Sequence, residues 1–210
     1  MKTWILLFCS LCTASAALGQ SWQKMESREV FDRRLNETAA NTHSIDCDFN
    51  QEKYLDVFAE KILSKGKFYF RKENKIALCY TQPLDHLIVI DGQKLKIVSE
   101  GKANVMDLSS NKMMDGMNRL LAACMTGNLS LLQEGYRMEF LEDSAYYLVR
   151  IRPQQEALKS YIREMALWFD KKDMAVVRLR LAENESDYTE YQFLNRQFNT
   201  LHDDEKFTIR

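Results

Sequence analysis

Three histidines, His43, His86 and His202, are the side chains of this sequence best suited to acid–base catalysis near neutral pH. Each stands in a context typical of a strand end or a loop. The sequence has no histidine pair with zinc spacing, no Gly-x-Ser-x-Gly turn and no phosphate-binding glycine loop. We therefore predict a protein that is not an enzyme.

An acidic run, Asp46-x-Asp48-x-Asn50, has the spacing of the first oxygen ligands of a calcium loop. Gln51 stands where such a loop needs glycine, and Val57 stands where the bidentate glutamate should be. Two required features are missing, so we expect neither a metal site nor a cofactor.

The five cysteines fall into two groups. Cys9 and Cys12 lie in a segment that we expect to be removed, which leaves Cys47, Cys79 and Cys124. An odd count in an oxidising compartment allows one disulfide and one free thiol, whereas three small buried thiols are the other interpretation. The sequence leaves both open.

Residues 1–19 have the pattern of a cleavable signal peptide, because Lys2 precedes a short apolar run and small residues follow it. We expect export to the periplasm and a single domain over residues 20–210, present as a monomer. Lys2 is the only charged residue removed, so 28 basic and 30 acidic residues remain. That balance argues against nucleic-acid binding.

Hydrophobic periodicity predicts two helices. Residues 21–41 place large apolar side chains at helical spacing among charges, with Ser21 as the cap. A second stripe lies within residues 109–126, and Gly127 follows as a stop signal. The apolar residues of this second stripe are Met113, Met117, Leu120, Leu121 and Cys124.

Most of the remaining chain alternates with the period of a β-strand. Residues 44–51 form the first such run, residues 67–80 form a hairpin, and Asp91-Gly92 is the turn between two further strands. Five more runs follow between residues 136 and 193. The pattern predicts a mainly β fold with some α, in which a highly curved antiparallel sheet forms an incomplete, half-open β-barrel covered by two or three helices.

Three stretches resemble the outer-membrane lipoprotein carrier family, whose members have the LolA-like fold. Residues 44–51 are similar to its opening strand, with Phe49 and Gln51 two apart. The stretch from Gly66 to Leu95 resembles its run of a glycine, alternating aromatics, a basic pair, a hairpin ending in an aromatic, a proline, an apolar strand and Asp-Gly. Residues 162–207 are similar to its closing meander and terminal phenylalanine.

The resemblance implies a carrier that binds the acyl chains of lipoproteins in a hydrophobic cavity and transports them from the inner to the outer membrane. Its implied partners are acylated lipoproteins, an inner-membrane lipoprotein-releasing complex and an outer-membrane receptor. Alternation alone favours an ordinary closed core. Together with the resemblance it predicts a cavity lined by Phe68, Phe70, Ile76, Leu78, Tyr80, Leu87 and Val89, with Met113, Met117, Leu120 and Leu121 as its lid.

The basic corner after the aromatic strand departs from the family pattern. Members often have an Arg-Pro pair there, and the resemblance implies that the arginine helps to hold the helical lid. This sequence has Arg71-Lys72-Glu73, so Lys72 takes the arginine's place with Arg71 beside it. Lysine offers a point charge rather than a planar fork. Three alternatives therefore stay open: a carrier of another lipid or glycolipid, a lipid-sensing envelope module, and an enzyme acting on lipids.

Overall fold

The structure is a computed structural model that describes residues 21–72, 74–110, 116, 120, 123, 129–132 and 134–209. The helices with defined bounds are α1 (Arg28–Asn41) and the short α2 (Glu156–Lys159). The strands are β1 (Gln23–Lys24), β2 (Ser44–Leu55), β3 (Glu60–Arg71), β4 (Lys75–Gln82), β5 (His86–Asp91), β6 (Lys94–Ser99), β7 (Lys102–Asp107), β8 (Tyr136–Glu142), β9 (Tyr146–Pro153), β10 (Glu164–Asp170), β11 (Val176–Ala182) and β12 (Tyr188–Phe198).

All twelve strands belong to one sheet in the order β1-β8-β9-β10-β11-β12-β2-β3-β4-β5-β6-β7. Every pair of neighbours is antiparallel. Within the described part of the chain, β1 and β7 have one neighbour each, so the sheet stays open. The predicted mainly β fold with an unclosed antiparallel sheet is confirmed.

One apolar cluster runs along the inner face of the sheet. It joins Leu95 and Met106, near one edge, to Met138 and Phe140, near the other edge. Strands from opposite edges can share one core only if the sheet bends around it. The inner face is therefore concave, and we call the opposite surface the outer face.

Helix α1 begins later than the periodicity predicts. Its cap is Ser27, whose side-chain oxygen accepts a hydrogen bond of 3.3 Å from the amide of Val30. Just before it, the amide of Met25 donates a 3.1 Å hydrogen bond to the carbonyl of Phe140, where β1 lies beside β8. The prediction of a helix from Ser21 is wrong because this stretch pairs with the sheet, which satisfies its backbone groups better than an isolated helical turn.

The predicted second helix falls largely outside the described residues. Its three described positions, Gly116, Leu120 and Ala123, are helical and buried. Spacings of four and three residues place them on one face of a helix. Leu120 and Ala123 join the apolar cluster of the inner face.

The chain after β12, residues 199–209, crosses to the outer face, and we call it the C-terminal segment. Phe207 packs there with Ala77 and Val89. The carboxylate of Asp204 accepts hydrogen bonds from Arg71 at 2.8 Å and from Lys75 at 2.6 Å. This segment covers β4 and β5 from behind. Among the described residues, no helix has the length and apolar character needed to cross a membrane.

Candidate functional site

The inner face of β3 and β4 is apolar, as the alternation predicts. Phe68, Phe70 and Ile76 are buried, and Leu78 and Tyr80 are half-buried against the same cluster. Register explains the grouping, because Phe68 lies opposite Leu78 and Phe70 lies opposite Ile76 across the two strands. The structure thus brings together five of the seven predicted cavity residues.

Leu87 and Val89 are the two exceptions, and their predicted place on the inner face is wrong. They belong to the outer-face cluster, with Phe207 of the C-terminal segment. In the pairing of β4 with β5, Leu78 faces Ile88 and Ile76 faces Ile90. Ile88 and Ile90 are therefore the inner-face residues of β5. A shift of one residue exchanges the two faces of a strand, and the loop before β5 sets this register.

An aromatic group forms the middle of the inner face. The ring of Phe49 lies edge-on to Tyr80 at 5.0 Å and to Tyr191 at 5.8 Å between centroids. Gly66 makes room for it, since a Cβ atom there would lie 2.8 Å from Cζ of Phe49 and overlap the carbonyl oxygen of Cys79. The glycine of the sequence motif is thus required by a close approach of side chain and backbone.

Two tyrosines place a polar group within this apolar surface. The hydroxyls of Tyr80 and Tyr191 are 3.1 Å apart and share a hydrogen bond. Burial raises the pKa of Tyr80, and it raises the pKa of Tyr191 well above the usual value. Both phenols are therefore neutral near pH 7, so the pair adds polarity without adding charge.

Helix α1 covers part of the inner face. Phe31 is fully buried, with its ring edge-on to Tyr147 at 5.1 Å and to Phe169 at 5.5 Å. Leu35, one turn later, is also buried in the same cluster. The helix therefore inserts its own side chains where a hydrophobic ligand would otherwise contact the sheet.

A narrow cavity of about 50 Å³ remains beneath the C-terminal half of α1. Leu35 and Ala39 line it from the helix, and Cys47, Phe68 and Phe193 line it from the sheet. Ligand pockets usually measure roughly 300 to 1,000 Å³. The cavity is too small for an acyl chain while α1 is in this position.

One of the four predicted lid residues lies in the described part of the chain. Leu120 is buried against the inner-face cluster, which agrees with a covering role. Met113, Met117 and Leu121 lie outside the described residues. The carbonyl of Gly116 accepts a long hydrogen bond of 3.5 Å from the hydroxyl of Tyr136 on β8.

The basic corner contacts two different parts of the chain. The ammonium group of Lys72 donates a 2.6 Å hydrogen bond to the carbonyl of Ala40 near the end of α1, and the amide of Lys72 donates to the carbonyl of His43. Arg71 instead binds Asp204 on the C-terminal segment. Lys72 thus contacts a covering helix, although that helix is α1. Its predicted contact with residues 109–126 stays a prediction, since most of them lie outside the described residues.

The described acidic and cysteine side chains singled out in the sequence form ion pairs or remain free thiols. Asp46 and Asp48, the start of the rejected calcium pattern, approach the ammonium group of Lys67 at 4.0 and 2.7 Å. Cys47 and Cys79 are free thiols on opposite faces of the sheet, while Cys124 lies outside the described residues. Within the described residues, no group of histidine, cysteine and carboxylate side chains is arranged to hold a metal ion.

Several inner-face residues escaped the sequence prediction. Phe49, Tyr191 and Phe193 join the same cluster as Phe68, and the ring of Phe193 is 5.2 Å from that of Phe68. Their alternation in β2 and β12 is visible in the sequence. Strand β2 comes early in the chain and β12 comes late. Only the pairing of these two strands shows that Phe49, Tyr191 and Phe193 lie on the same inner face.

Solved structures share this fold at low sequence identity. An uncharacterized conserved protein from Thermus thermophilus superposes with a TM-score of 0.52 at 9% identity, covering 86% of this chain and 93% of that chain. A DUF1329 family protein from Desulfovibrio piger gives 0.50 at 11% identity, covering 86% and 96%. The Pseudomonas aeruginosa MucA/MucB complex gives 0.50 at 13% identity, covering 86% of this chain and 60% of that chain.

The match to a family model identifies the chain more specifically than the shared fold does. No curated protein matches the chain in sequence. Residues 40–210 match the model of the family described as outer membrane lipoprotein carrier protein LolA. That range includes every strand except β1, and with them the whole apolar inner face apart from α1. The chain therefore belongs to the LolA outer membrane lipoprotein carrier family.

Proposed function

We propose that this protein is a periplasmic carrier that shields the acyl chains of lipoproteins between the inner and the outer membrane. The observation that carries the proposal is the apolar inner face, which α1 covers with Phe31 and Leu35. No bond is made or broken in this function. Family membership over residues 40–210 supports the same conclusion.

Transfer free energy explains why such a carrier is needed. Each methylene group exposed to water costs about 0.8 kcal/mol relative to burial, so one long acyl chain costs on the order of 10 kcal/mol. The inner face supplies a surface on which that cost is avoided. Phe68, Leu78, Ile88 and Phe193 would contact the chain in this function.

Binding of the acyl chain would be reversible if the chain and helix α1 compete for the same inner face. The cavity of about 50 Å³ beneath α1 can admit an acyl chain only if α1 moves. The ligand would then take the place of Phe31 and Leu35, so one apolar contact would replace another. Because the two states bury similar kinds of surface, a modest contribution from a membrane partner can tip the balance.

The partners follow from the family rather than from any contact in this structure. An inner-membrane lipoprotein-releasing complex would load the carrier, and an outer-membrane receptor would unload it. The leader predicted for residues 1–19 would deliver the chain to the periplasm, leaving a single domain over residues 20–210.

Two adjacent residues of β5 provide the sharpest test. Ile88 and Leu87 are both half-buried, yet they lie on the inner and the outer face respectively. We expect Ile88→Glu to weaken binding of a fluorescent fatty acid at least about tenfold, because a carboxylate in an apolar site is costly. Leu87→Glu should bind as the wild type does.

Circular dichroism of both variants would establish that the sheet is retained. Equal loss of binding in the two variants, or no uptake by the wild-type protein, would contradict the proposal. Native mass spectrometry of protein from the periplasm of its host would then identify the cargo. Finding triacylated lipoprotein supports the leading function.

The altered basic corner favours a second candidate, a carrier of another lipid or glycolipid in the same cavity. Lys72 binds the α1 carbonyl of Ala40 through a single ammonium group, without the two-pronged contact that arginine can make. A copurifying lipid other than a lipoprotein would select this candidate. Lipid binding without transfer to membranes would select a lipid-sensing envelope module.

A further inference from the structure

Large apolar side chains are exposed mainly at one end of the sheet. Val57 and Phe58, in the turn between β2 and β3, are 81% and 67% exposed. Leu84, in the loop between β4 and β5, is 70% exposed, and Tyr161, before β10, is 56% exposed. The antiparallel register places these three loops at the same end, which we call the hairpin end.

The opposite end of the sheet has a different character. Its connections include residues 72 and 74, 92–93, 143–145, 171–175 and 199–200, which carry mostly charged or amide side chains. Met174, a large apolar residue there, is buried. Among the described residues of these connections, none is a large exposed hydrophobic. The exposed apolar surface is therefore polarised along the strands.

The hairpin of β2 and β3 extends beyond β4 at the hairpin end, whereas β12 accompanies β2 as far as Tyr54. Strand β4 pairs with β3 only from Lys65 onward, whereas β3 begins at Glu60. In the extension, Ile62 and Leu63 point to opposite faces and are 45% and 65% exposed. The extension thus exposes an apolar side chain on each face and two more at its tip, and exposed apolar groups of this kind mark sites of contact with an apolar partner.

Aromatic rings lie directly behind the tip of this hairpin, where Tyr54 is opposite Lys61. Tyr54 and Tyr188 are stacked at 5.6 Å between centroids, and Tyr188 donates a 2.6 Å hydrogen bond to Glu52. Tyrosine is enriched where proteins cross from lipid to water, because its ring is apolar and its hydroxyl is polar. The apolar tip is followed by tyrosines, just as the hydrocarbon core of a bilayer is followed by its interface with water.

Charged groups beside the tip bind within the protein. The amide of Asp56 donates a 2.7 Å hydrogen bond to the carboxylate of Asp187, and Lys61 pairs with Glu52 at 3.0 Å. Other carboxylates of the hairpin end are exposed, such as those of Glu156 and Glu185 at 87% and 85%, so a negatively charged surface would be repelled and the apolar side chains provide the attraction. Attraction through them does not require an anionic surface and is insensitive to screening by salt.

We infer that the hairpin end docks on the surface of an uncharged phospholipid bilayer, with Val57 and Phe58 inserted among the lipids. Three loops distant in sequence contribute to one end, as contact with a broad, chemically uniform surface requires. The contact is separate from the inner face and does not depend on what that face carries. It goes beyond the proposed function by assigning the part of the molecule that meets a membrane.

Flotation with phosphatidylcholine vesicles tests the inference. We expect the wild-type protein to float with the vesicles and Val57→Asn/Phe58→Asn to lose roughly tenfold or more in partitioning, given the apolar area removed. The matched control is Val105→Asn/Leu194→Asn, which removes two exposed apolar side chains from strands away from the hairpin end. This control should float like the wild type.

Insertion itself can be followed with Phe58→Trp and brominated lipids, which should quench the added emission. The inference is overturned if the wild type fails to float, if both double variants float equally, or if binding requires anionic lipid and disappears in high salt. Uptake of a fluorescent fatty acid, measured on the same variants, keeps the two proposals apart. The Val57→Asn/Phe58→Asn protein should retain uptake because its inner face is intact.

Discussion

The ammonium group of Lys72 lies 2.6 Å from the carbonyl oxygen of Ala40 and donates a hydrogen bond to it. Ala40 is in the last turn of α1, where carbonyl groups lack partners within the helix and the helix dipole favours a positive charge. The end of the covering helix is thus held by the flexible side chain of Lys72 and by Asn199, whose side-chain amide donates a 3.0 Å hydrogen bond to the carbonyl of Asn41. Such a contact can break and re-form at low cost.

Loss of this contact should speed the entry of acyl chains. We expect Lys72→Met to increase the uptake rate of a fluorescent fatty acid several-fold, with stability changed by no more than about 1 kcal/mol. Stopped-flow fluorescence and urea unfolding measure the two quantities. Lys72→Arg keeps a charged donor for the carbonyl of Ala40 and should take up the fatty acid no faster than the wild type, and Lys102→Met, on an exposed edge lysine, is the control. An unchanged rate in Lys72→Met would show that this contact does not limit opening.

Gly66 should tolerate no larger residue. In Gly66→Ala the new methyl group would meet Cζ of Phe49 and the backbone of Cys79, and that backbone cannot move without disturbing the ladder between β3 and β4. We expect a loss of about 2 kcal/mol or more in the free energy of unfolding. Lys65→Ala, at the exposed neighbouring position, should cost far less. Equal unfolding midpoints in urea would refute this packing argument.

Cys47 should report the opening of the cavity. Burial raises the pKa of its thiol to about 12, so only roughly one molecule in ten thousand carries the reactive thiolate at pH 8. In a Cys79→Ser/Cys124→Ser background, we expect labelling by a thiol reagent to be far slower than in urea. Adding Lys72→Met should accelerate labelling. Rapid labelling of the native protein would contradict the closed arrangement of α1.

Glu142 should make stability depend on acid pH. Burial alone would raise the pKa of its carboxyl, but hydrogen bonds from Lys171 at 2.6 Å and from the amide of Glu26 outweigh burial and lower it below the ordinary value of 4.5. The stabilisation is therefore present above the unfolded pKa and is lost as the pH falls through the folded value.

The variant Glu142→Gln should lower the free energy of unfolding by roughly 1 to 3 kcal/mol at pH 7 and flatten its decline below pH 4.5. Glu156→Gln is the control, because Glu156 pairs with Lys159 at an exposed helix and should contribute little. Chemical unfolding over a pH series measures both. Parallel pH profiles for Glu142→Gln and the wild type would rule out this assignment.

Hydrophobic alternation predicted the inner-face residues of β3 and β4 correctly, but not those of β5. Phe68 and Phe70 alternate with Lys67 and Arg71, and the structure places both on the inner face with Ile76 and Leu78. In β5 both faces are covered, one by the core and one by the C-terminal segment, so four successive apolar residues carry no alternation. The loop around Pro83 sets the register of β5 and so decides which of these residues face inward. The sequence alone does not predict the conformation of that loop.

Other parts of the fold lacked a sequence signal of their own. Strand β7 is an edge strand with five exposed residues and one half-buried residue, so it has no apolar face to detect. The partner of Lys72 is a backbone carbonyl, a group that every residue possesses. Helical spacing predicted α1 itself, yet the pairing of β1 with β8 decided where it begins.

The place of β12 in the sheet also has a consequence for the timing of folding. This strand lies between β11 and β2, and it aligns Tyr188 with Tyr54 and Phe198 with Ile45. The two halves of the sheet therefore meet only through the last strand to be synthesised. Pairing between such distant segments slows folding, since a long loop must close before any contact is gained. The sheet can become continuous only when β12 joins β2.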